Sequence, residues 1–349
     1  MSRRTFATVV AVSLVLALWA AALLLPLPYV TYSPGPTVDI LGSKKGKEYV
    51  SVEGRETYRD DGELRLTTVY VTYPDAQLSL VDVVRAWLSP ERAVVPRESV
   101  YAEGETREDA ELQSEVQMVS SQDLAIAAAM VELGLDPKSV LQVLSVGKDE
   151  PADGKLEVRD VLVAVNGTAV TTTEQVVKAV RSAPAGRITF EVLRDGEPKT
   201  VEVTPEQVDG APRVGIVPGL GFDFPFKVRV DIPDDIGGPS AGLMFSLAIY
   251  DTLTPGSLTD GRIVAGTGTI EDPSGRVGPI GGIAQKIVAA EKAKAEIFLV
   301  PPDNCAEALT APRDDMQLVR AATMSEALAT IQAWVEDPDV DLPSCEDAG

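Results

Sequence analysis

IGGPSAGLMFSLAIYD, residues 236–251, is the stretch that decides the fold of the C-terminal part of the chain. The residues before it alternate between apolar and polar and predict a strand, with apolar positions at Phe226, Val228, Val230 and Ile232. Inside the stretch, apolar residues recur at helical spacing, at Leu243, Met244, Leu247 and Ala248. Pro239 suits the first position of that helix. We therefore expect a strand, a glycine-rich turn and a buried helix in succession.

Ser240 stands at the predicted start of this helix. The unpaired N–H groups and the positive dipole end of a helix N-terminus favour an anion, which would help both a developing alkoxide and an oxyanion. Glycines at positions 237, 238 and 242 would let a substrate backbone approach closely. The alternative is a serine that only caps a tight turn, and the tripeptide S-A-G alone fits that alternative better.

Lys286 lies in a second predicted helix, Ile283–Lys294, within an apolar stripe formed by Ile283, Ile287 and Ala290. Burial would have to lower the lysine pKa from about 10.4 to about 7 to 8, a shift of roughly 3 to 5 kcal/mol that desolvation can supply. The neutral amine could then take the proton of Ser240. The alternative is a lysine whose stem packs on the core while its ammonium reaches water.

Composition excludes several other classes of protein. The 53 acidic residues against 31 basic ones give a net charge of -22, which disfavours binding to nucleic acid. The chain has no histidine, so it lacks the usual base of serine hydrolases and the commonest zinc ligand. Cys305 and Cys345 form no CxxC pair, which argues against a zinc ribbon or a redox site. We therefore expect no metal and no cofactor.

The N-terminus carries an apolar run, Phe6–Leu25, after Arg3 and Arg4. A helix needs about 20 such residues to cross a membrane, and the positive-inside rule places the arginines in the cytoplasm and the rest of the chain outside. A signal peptide cleaved near Ala20–Ala22 and a twin-arginine signal at Ser2–Phe6 are the alternatives. We favour an uncleaved single-pass anchor in the cell membrane, because the apolar run continues past the alanines.

An extracytoplasmic location permits a disulfide between Cys305 and Cys345, which would stabilise the chain by roughly 3 to 4 kcal/mol, and two free thiols are an equal alternative. Farther along the chain from the anchor, Tyr32–Pro36 predicts a turn and Leu64–Tyr70 predicts a strand. The charged segment Glu91–Glu115 predicts a solvated face.

A further helix is predicted to begin at Ser120 or Ser121 and to end at Leu133. After it, residues 139–203 consist of short β segments with Asn-Gly and Asp-Gly turns and one helix, Glu174–Ser182. These features predict a compact β-rich module.

This module resembles a PDZ domain of the bacterial protease type, through the segments Val140–Val146, Glu150–Ala152, Gly154–Leu156, Arg159–Leu162 and Val165–Gly167. The resemblance implies a domain that adds an extended peptide as a strand beside its sheet edge. Arg159 departs from the family, which usually has glycine there. Gly219–Phe222 spells the PDZ carboxylate loop, GLGF, but follows the module, so we interpret it as a coincidence.

The surroundings of Ser240 and Lys286 together resemble the proteolytic domain of Lon proteases. The matching segments are Gly238-Pro239-Ser240-Ala241-Gly242, Thr267-Gly268, and Gly278–Gly282 followed by Lys286. The resemblance implies that Ser240 is the nucleophile, that Lys286 is the base and that Thr267 orients the lysine amine. Many Lon proteases carry aspartate three residues before the serine, where this chain has Gly237, although Asp234 and Asp235 are close.

The chain has no G-x-x-x-x-G-K-[S/T] loop, so we expect no use of ATP. Anchor, PDZ module and Lon-like domain in this order resemble the YlbL-type Lon-like proteases of Gram-positive bacteria. That resemblance implies a serine endopeptidase acting outside the cytoplasm on unfolded or tailed protein substrates, and it allows a homo-oligomer.

We therefore expect a multidomain α/β (α+β) protein. Its predicted parts are a cytoplasmic tip and transmembrane anchor at 1–30, a region that packs on the catalytic domain at 31–137, a PDZ-like domain at 138–206, a Lon-like proteolytic domain at 207–337 and a tail at 338–349. A carboxy-terminal processing protease shares the PDZ domain, serine and lysine, but the G-P-S-A-G setting favours Lon. A non-catalytic membrane receptor or assembly factor with a PDZ domain is the alternative from another class.

Overall fold

A computed structural model describes residues 2–183, 186–208, 210–233 and 236–347. The acidic pair Asp234 and Asp235 lies outside the described residues. The helices of the described part are α1 (Arg3–Leu24), α2 (Leu80–Trp87), α3 (Arg107–Glu132), α4 (Thr173–Arg181), α5 (Gly242–Leu253), α6 (Ile283–Lys292), α7 (Cys305–Ala308) and α8 (Met324–Glu336).

The strands of the described part are β1 (Tyr29–Asp39), β2 (Ser43–Lys44), β3 (Lys47–Glu48), β4 (Val50–Glu53), β5 (Glu63–Val71), β6 (Ala93–Pro96), β7 (Lys138–Val146), β8 (Val161–Val165), β9 (Thr168–Ala169), β10 (Ile188–Arg194), β11 (Glu197–Val203), β12 (Glu206–Val208), β13 (Ala211–Arg213), β14 (Ile216–Asp223), β15 (Lys227–Val230), β16 (Ile263–Gly266), β17 (Thr269–Ile270), β18 (Val277–Gly278), β19 (Ile297–Val300) and β20 (Gln317–Arg320).

One six-stranded sheet forms the centre of the larger core, in the order β20-β19-β16-β5-β1-β6. The strands β5, β16, β19 and β20 are parallel, whereas β1 is antiparallel to both of its neighbours. Half of this sheet comes from the region before the PDZ domain, and half comes from the region after it. The region predicted to pack on the catalytic domain, residues 31–137, therefore contributes strands to the same sheet as residues 263–320.

Helices cover both faces of this sheet. On one face, α3, α5 and α8 bury an apolar core that includes Leu64, Met130, Phe245 and Ile331. On the other face, α6 lies against β1 and β5. Its residues Ile283, Ile287 and Ala290 share an apolar cluster with Phe298 and Val300 of β19. Since β16 connects to β19 through α6, the carboxyl ends of the parallel strands lie beside the start of α6, where ligand sites of open α/β sheets commonly form.

The predicted PDZ-like module contains a separate antiparallel sheet in the order β11-β10-β8-β7-β14, with its own apolar core around Phe190. The Asn166-Gly167 and Asp195-Gly196 turns have positive φ at both residues, as the tight hairpins predicted from sequence require. The strand β14 pairs with β7 along its whole length, so the sheet extends beyond the predicted domain end at residue 206.

Two local predictions differ from the structure. Tyr32–Pro36, predicted as a turn, lies inside β1, where pairing with β5 absorbs the prolines through a register shift between Pro34 and Thr37. The helix predicted from Ser120 or Ser121 begins at Arg107, because Thr106 and Asp109 form a capping box within the charged segment.

The described residues contain one helix that is long and apolar enough to cross a membrane, with its apolar window at Arg3–Ala20. At the other end of the chain, Cys305 at the start of α7 and Cys345 form a disulfide across 40 residues. Both cysteines are buried. The disulfide ties the C-terminal segment to the face of the sheet that carries α6.

Candidate active site

Ser240 lies in a turn between β15 and α5, and its side chain is partly accessible. Gly238 enters this turn with φ 82°, a conformation that glycine adopts without strain. The helix α5 begins at Gly242, so Pro239 is not its first residue as predicted. The Gly242 N–H instead donates to the Pro239 carbonyl, and the chain enters the helix one turn later.

Gly242 allows the nucleophile turn to approach the neighbouring strand. A Cβ at this position would lie 2.8 Å from the backbone nitrogen of Ile270, which is closer than real Cβ atoms approach backbone atoms. The glycine therefore permits a close approach between two backbone segments, one carrying Ser240 and the other following Thr267.

The helix α3 supports the turn from behind. The Ser121 hydroxyl donates to the Pro239 carbonyl at 3.0 Å, and the Gly238 N–H donates to the Ser114 carbonyl at 3.4 Å. These two serines were not predicted as site residues. Their separation of seven residues, two helical turns on one face, is the signal that could have found them once the helix start was known.

Thr267 follows the carboxyl end of β16 and is fully buried. Its hydroxyl donates to the Ser240 carbonyl at 2.9 Å and lies 2.8 Å from the Lys286 Nζ. The Gly268 N–H donates to the same carbonyl at 2.9 Å. Two donors thus fix the backbone of Ser240, and one of them also contacts the lysine.

Lys286 lies in the first turn of α6, on the face that packs against the sheet, and its residue surface is 1% exposed. Its Nζ lies 2.6 Å from the Ser240 Oγ. Burial lowers the pKa of this amine from its ordinary value of 10.5 to about 7, because the charged form loses its hydration. At neutral pH a substantial fraction of the amine is therefore uncharged and able to accept a proton.

The direction of α6 is set by Gly282, which caps the helix with φ 70°. A Cβ at Gly282 would lie 3.0 Å from Val69 Cγ1 and 3.1 Å from Tyr32 Cδ1. The first strand after the apolar helix, β1, therefore contacts the helix that carries Lys286. Tyr32 was not predicted at the site, because the Pro and Gly residues after it predict a turn.

The structure thus brings Ser240, Lys286 and Thr267 into contact, and the predicted supporting residues Gly238, Pro239, Ala241 and Gly242 form the turn around the serine. In the described ranges, no group of three or more cysteine, aspartate or glutamate side chains is arranged to hold a metal ion. The chemistry that this arrangement allows is proton transfer from a hydroxyl to a buried amine.

A second concave site lies in the β-rich module, between α4 and the edge strand β14. It is an apolar cavity of about 350 Å³ whose walls include Leu112 of α3. The PDZ side chains that line it include Val176, Val177, Val180, Val214, Ile216 and Pro218. An edge strand beside an apolar groove is the geometry that receives an extended peptide. The GLGF segment, Gly219–Phe222, lies within β14 and pairs with β7, so it forms no loop.

Comparison with protein families gives two matches. Residues 116–204 match the PDZ domain family, and residues 227–333 match the Lon protease (S16) C-terminal proteolytic domain. A solved PDZ domain of an SdrC-like protein from Listeria innocua has a TM-score of 0.21 and 22% identity, and the match covers 23% of this chain and 92% of that one.

Among curated proteins, Lon protease 1 of Syntrophobacter fumaroxidans is 32% identical over 145 residues, which is 40% of this chain and 17% of that protein. Lon protease of Campylobacter jejuni is 32% identical over 123 residues, 33% of this chain and 15% of that protein. This chain therefore spans less than a fifth of the length of either of these two relatives. It carries a PDZ domain and a Lon-type C-terminal proteolytic domain after an N-terminal apolar helix, which is consistent with a YlbL-type Lon-like protease.

Proposed function

We propose that this protein is an ATP-independent, membrane-anchored serine endopeptidase that uses Ser240 and Lys286 as a catalytic dyad. The observation that carries the proposal is the 2.6 Å separation between the Lys286 Nζ and the Ser240 Oγ, at a lysine that is almost completely buried. A lysine placed there only for structure would satisfy its charge with a carboxylate or reach solvent, whereas the described neighbours of this amine are two hydroxyls.

In the first half of the reaction, neutral Lys286 accepts the Ser240 proton as Oγ attacks the carbonyl carbon of the scissile peptide. The resulting ammonium then gives this proton to the leaving amine, and an acyl-enzyme remains on Ser240. In the second half, a water molecule attacks the ester carbon, and Lys286 accepts a proton from this water. The proton returns to Oγ when the acid product leaves, so the dyad is regenerated.

Thr267 is proposed to orient the amine. Its hydroxyl contacts both the Lys286 Nζ and the Ser240 carbonyl, so the lysine cannot rotate away without breaking the contact. The start of α5 lies just after the serine, where its dipole favours the negative charge that develops on Oγ and on the carbonyl oxygen.

Unfolded proteins, or proteins with accessible tails, are the proposed substrates. The partly accessible Ser240 suits an extended chain, and the PDZ groove between α4 and β14 suits a peptide added as a strand. The apolar helix α1 supports a membrane anchor, and the disulfide between Cys305 and Cys345 supports a location outside the cytoplasm. The sequence contains no P-loop that would couple cleavage to ATP.

The test uses the full chain in detergent micelles, with an unfolded protein as substrate and no ATP. Wild type should cleave it, whereas Ser240→Ala and Lys286→Met should each lose roughly 10²-fold to 10⁴-fold in kcat/KM. Methionine keeps the volume of lysine without a proton acceptor. Lys292→Met, on the same helix but exposed and paired with Glu91, is the matched control and should retain activity.

Equal rates in all four proteins would overturn the enzymatic proposal in favour of a non-catalytic receptor or assembly factor. Circular dichroism and thermal unfolding of each variant establish that a loss of activity is not a loss of fold.

A further inference from the structure

The short helix α2 begins at the point where the chain would leave the membrane. The Leu27 N–H, three residues after α1 ends, donates to the Leu78 carbonyl at 2.9 Å, and α2 starts two residues after Leu78. Ser79 and Asp82 close a capping box at its first turn. The helix is therefore a fixed element, and its position relative to the end of α1 is set by pairing of the backbone.

One side of α2 is apolar and uncovered. Ala86 is buried against the protein, while Trp87 is 74% exposed and Leu88 is 70% exposed. Val81 and Val84 lie on the same exposed arc, since positions 81, 84 and 88 recur at helical spacing. A cluster of large apolar side chains on a stable surface helix marks an interaction site.

Trp19 of α1 faces this arc. Together with residues of α2, it lines an open apolar cavity of about 600 Å³, whose walls include Leu80, Val81, Val84 and Leu88. Trp19 lies five residues before the end of α1, which is about 7 to 8 Å along the helix axis. Amphipathic helices that lie in a membrane interface bury their apolar face by about 5 to 10 Å. The distance of Trp19 from the end of α1 therefore matches the depth at which an interfacial helix buries its apolar face.

We propose that α2 lies in the outer membrane–water interface and buries Val81, Val84, Trp87 and Leu88 among the lipids. This inference rests on the proposed membrane anchor. Tryptophan is enriched at that interface, where its ring is apolar and its N–H remains hydrated. Because the chain carries a net charge of -22, apolar insertion holds the helix in place, and neutral phosphatidylcholine is sufficient for binding.

The contact has a consequence for the proteolytic domain. The strand β6 follows α2 and pairs with β1, and Tyr32 of β1 lies beside the Gly282 cap of α6. At most about 25 Å of extended chain separates Leu25 from Tyr32. With α2 in the interface, the domain is held against the bilayer by two elements, and Ser240 is presented to segments of substrate close to the membrane.

The test is depth-resolved fluorescence of the full chain in nanodiscs of phosphatidylcholine. The chain has three tryptophans, so Trp19→Phe with Trp334→Phe leaves Trp87 as the only reporter, and Trp87→Phe with Trp334→Phe leaves Trp19. Lipids labelled with a quencher near the headgroup should quench Trp87 strongly, and aqueous acrylamide should quench it weakly. Val84→Glu in the Trp87 reporter should lose most of the lipid quenching.

The Trp19 reporter separates this inference from the anchor. Quenching of Trp19 by lipid, together with free access of acrylamide to Trp87, would overturn the interfacial helix and leave the anchor standing. Protection of Trp87 from both quenchers would also overturn it, since protein and not lipid would then cover α2. Absence of lipid quenching in both reporters would overturn the anchor itself, and with it the inference.

Discussion

Arg159 of the PDZ domain donates through Nε to Asp123 of α3 at 2.9 Å, and the Asp123 side chain is 2% exposed. A second nitrogen of the guanidinium donates to the Gln122 side chain at 2.8 Å, and Gln142 of β7 donates to the other oxygen of Asp123. Arg159, at the position where PDZ domains usually have glycine, therefore joins the PDZ sheet to α3, the helix that packs in the core beside α5. Its left-handed backbone, φ 72°, is held by these contacts.

Arg159→Gly is expected to loosen this junction without harming the PDZ turn, because glycine adopts φ 72° more readily than arginine. The change leaves Asp123 with one partner and should reduce the free energy of unfolding by about 1 to 3 kcal/mol. Amide hydrogen exchange should accelerate in α3 and at the start of β7, while the core around Phe190 stays protected.

Arg187→Gly is the matched control for this substitution, since Arg187 pairs with Glu202 on the exposed surface of the same domain. Loss of this exposed ion pair should change the free energy of unfolding by at most about 0.5 kcal/mol, in addition to the entropic cost of a glycine. The same exchange pattern in both variants would show that the junction at Asp123 does not couple the domains.

Lys286→Met is expected to stabilise the fold at pH 6 even though it removes the proposed base. The pKa of Lys286 is lowered in the folded protein to about 7 from 10.5, so between these values the unfolded chain binds more protons than the folded chain. The stability of the wild type should therefore rise from about pH 7 to about pH 10, by roughly 3 to 5 kcal/mol before losses from altered hydrogen bonds. The methionine variant lacks this rise.

Urea unfolding of both proteins between pH 6 and pH 10 measures this difference. The stability advantage of methionine should shrink as the pH increases. A constant difference across the range would mean that burial of Lys286 does not depress its pKa.

Replacing Cys305 and Cys345 together by serine should lower the free energy of unfolding by about 3 to 4 kcal/mol, since the disulfide closes a loop of 40 residues in the unfolded chain. Thermal unfolding with and without reductant measures the effect. The wild type should lose stability on reduction, and the double variant should not respond. An insensitive wild type would show that the pair contributes nothing in solution.

Gly282→Ala should cost about 1 to 2 kcal/mol for the left-handed backbone, and it should also reduce activity by displacing α6 from Tyr32 and Val69. Gly104→Ala is the control, because Gly104 has a similar φ of 81° and open space around its Cβ position. Both variants should lose stability through the left-handed backbone, but only the first should lose peptidase activity. Equal peptidase activity in the two variants would show that the Gly282 cap does not determine the position of Lys286.

Much of the active-site region could be predicted from local sequence. The strand, the glycine-rich turn and the buried helix after Ser240 follow from the periodicity of apolar residues, and Lys286 interrupts an otherwise apolar stripe. The family matches confirm the resemblances to a PDZ domain and to a Lon proteolytic domain. These elements are strongly periodic or carry short motifs, so tertiary context changes them little.

The parts that sequence reasoning missed depend on long-range pairing. The strand β1 contains the tripeptide Pro34-Gly35-Pro36, and pairing with its neighbours β5 and β6 keeps it extended. The strand β14 joins the PDZ sheet by pairing with β7, some 75 residues earlier, and no local pattern indicates that partner. The start of α3 was not predicted, because the many charged residues of Glu91–Glu115 indicate a solvated segment and hide the capping residue Thr106.

The titration of Lys286 tests the central claim most directly. Protein labelled with ¹³C at the lysine side chains, with the Lys286 Cε signal assigned by its loss in Lys286→Met, should titrate with a midpoint near pH 7. The pH profile of kcat/KM should rise through the same midpoint, because only the neutral amine accepts the Ser240 proton. A midpoint near the ordinary value of about 10.4, with cleavage already maximal at pH 6, would contradict the account.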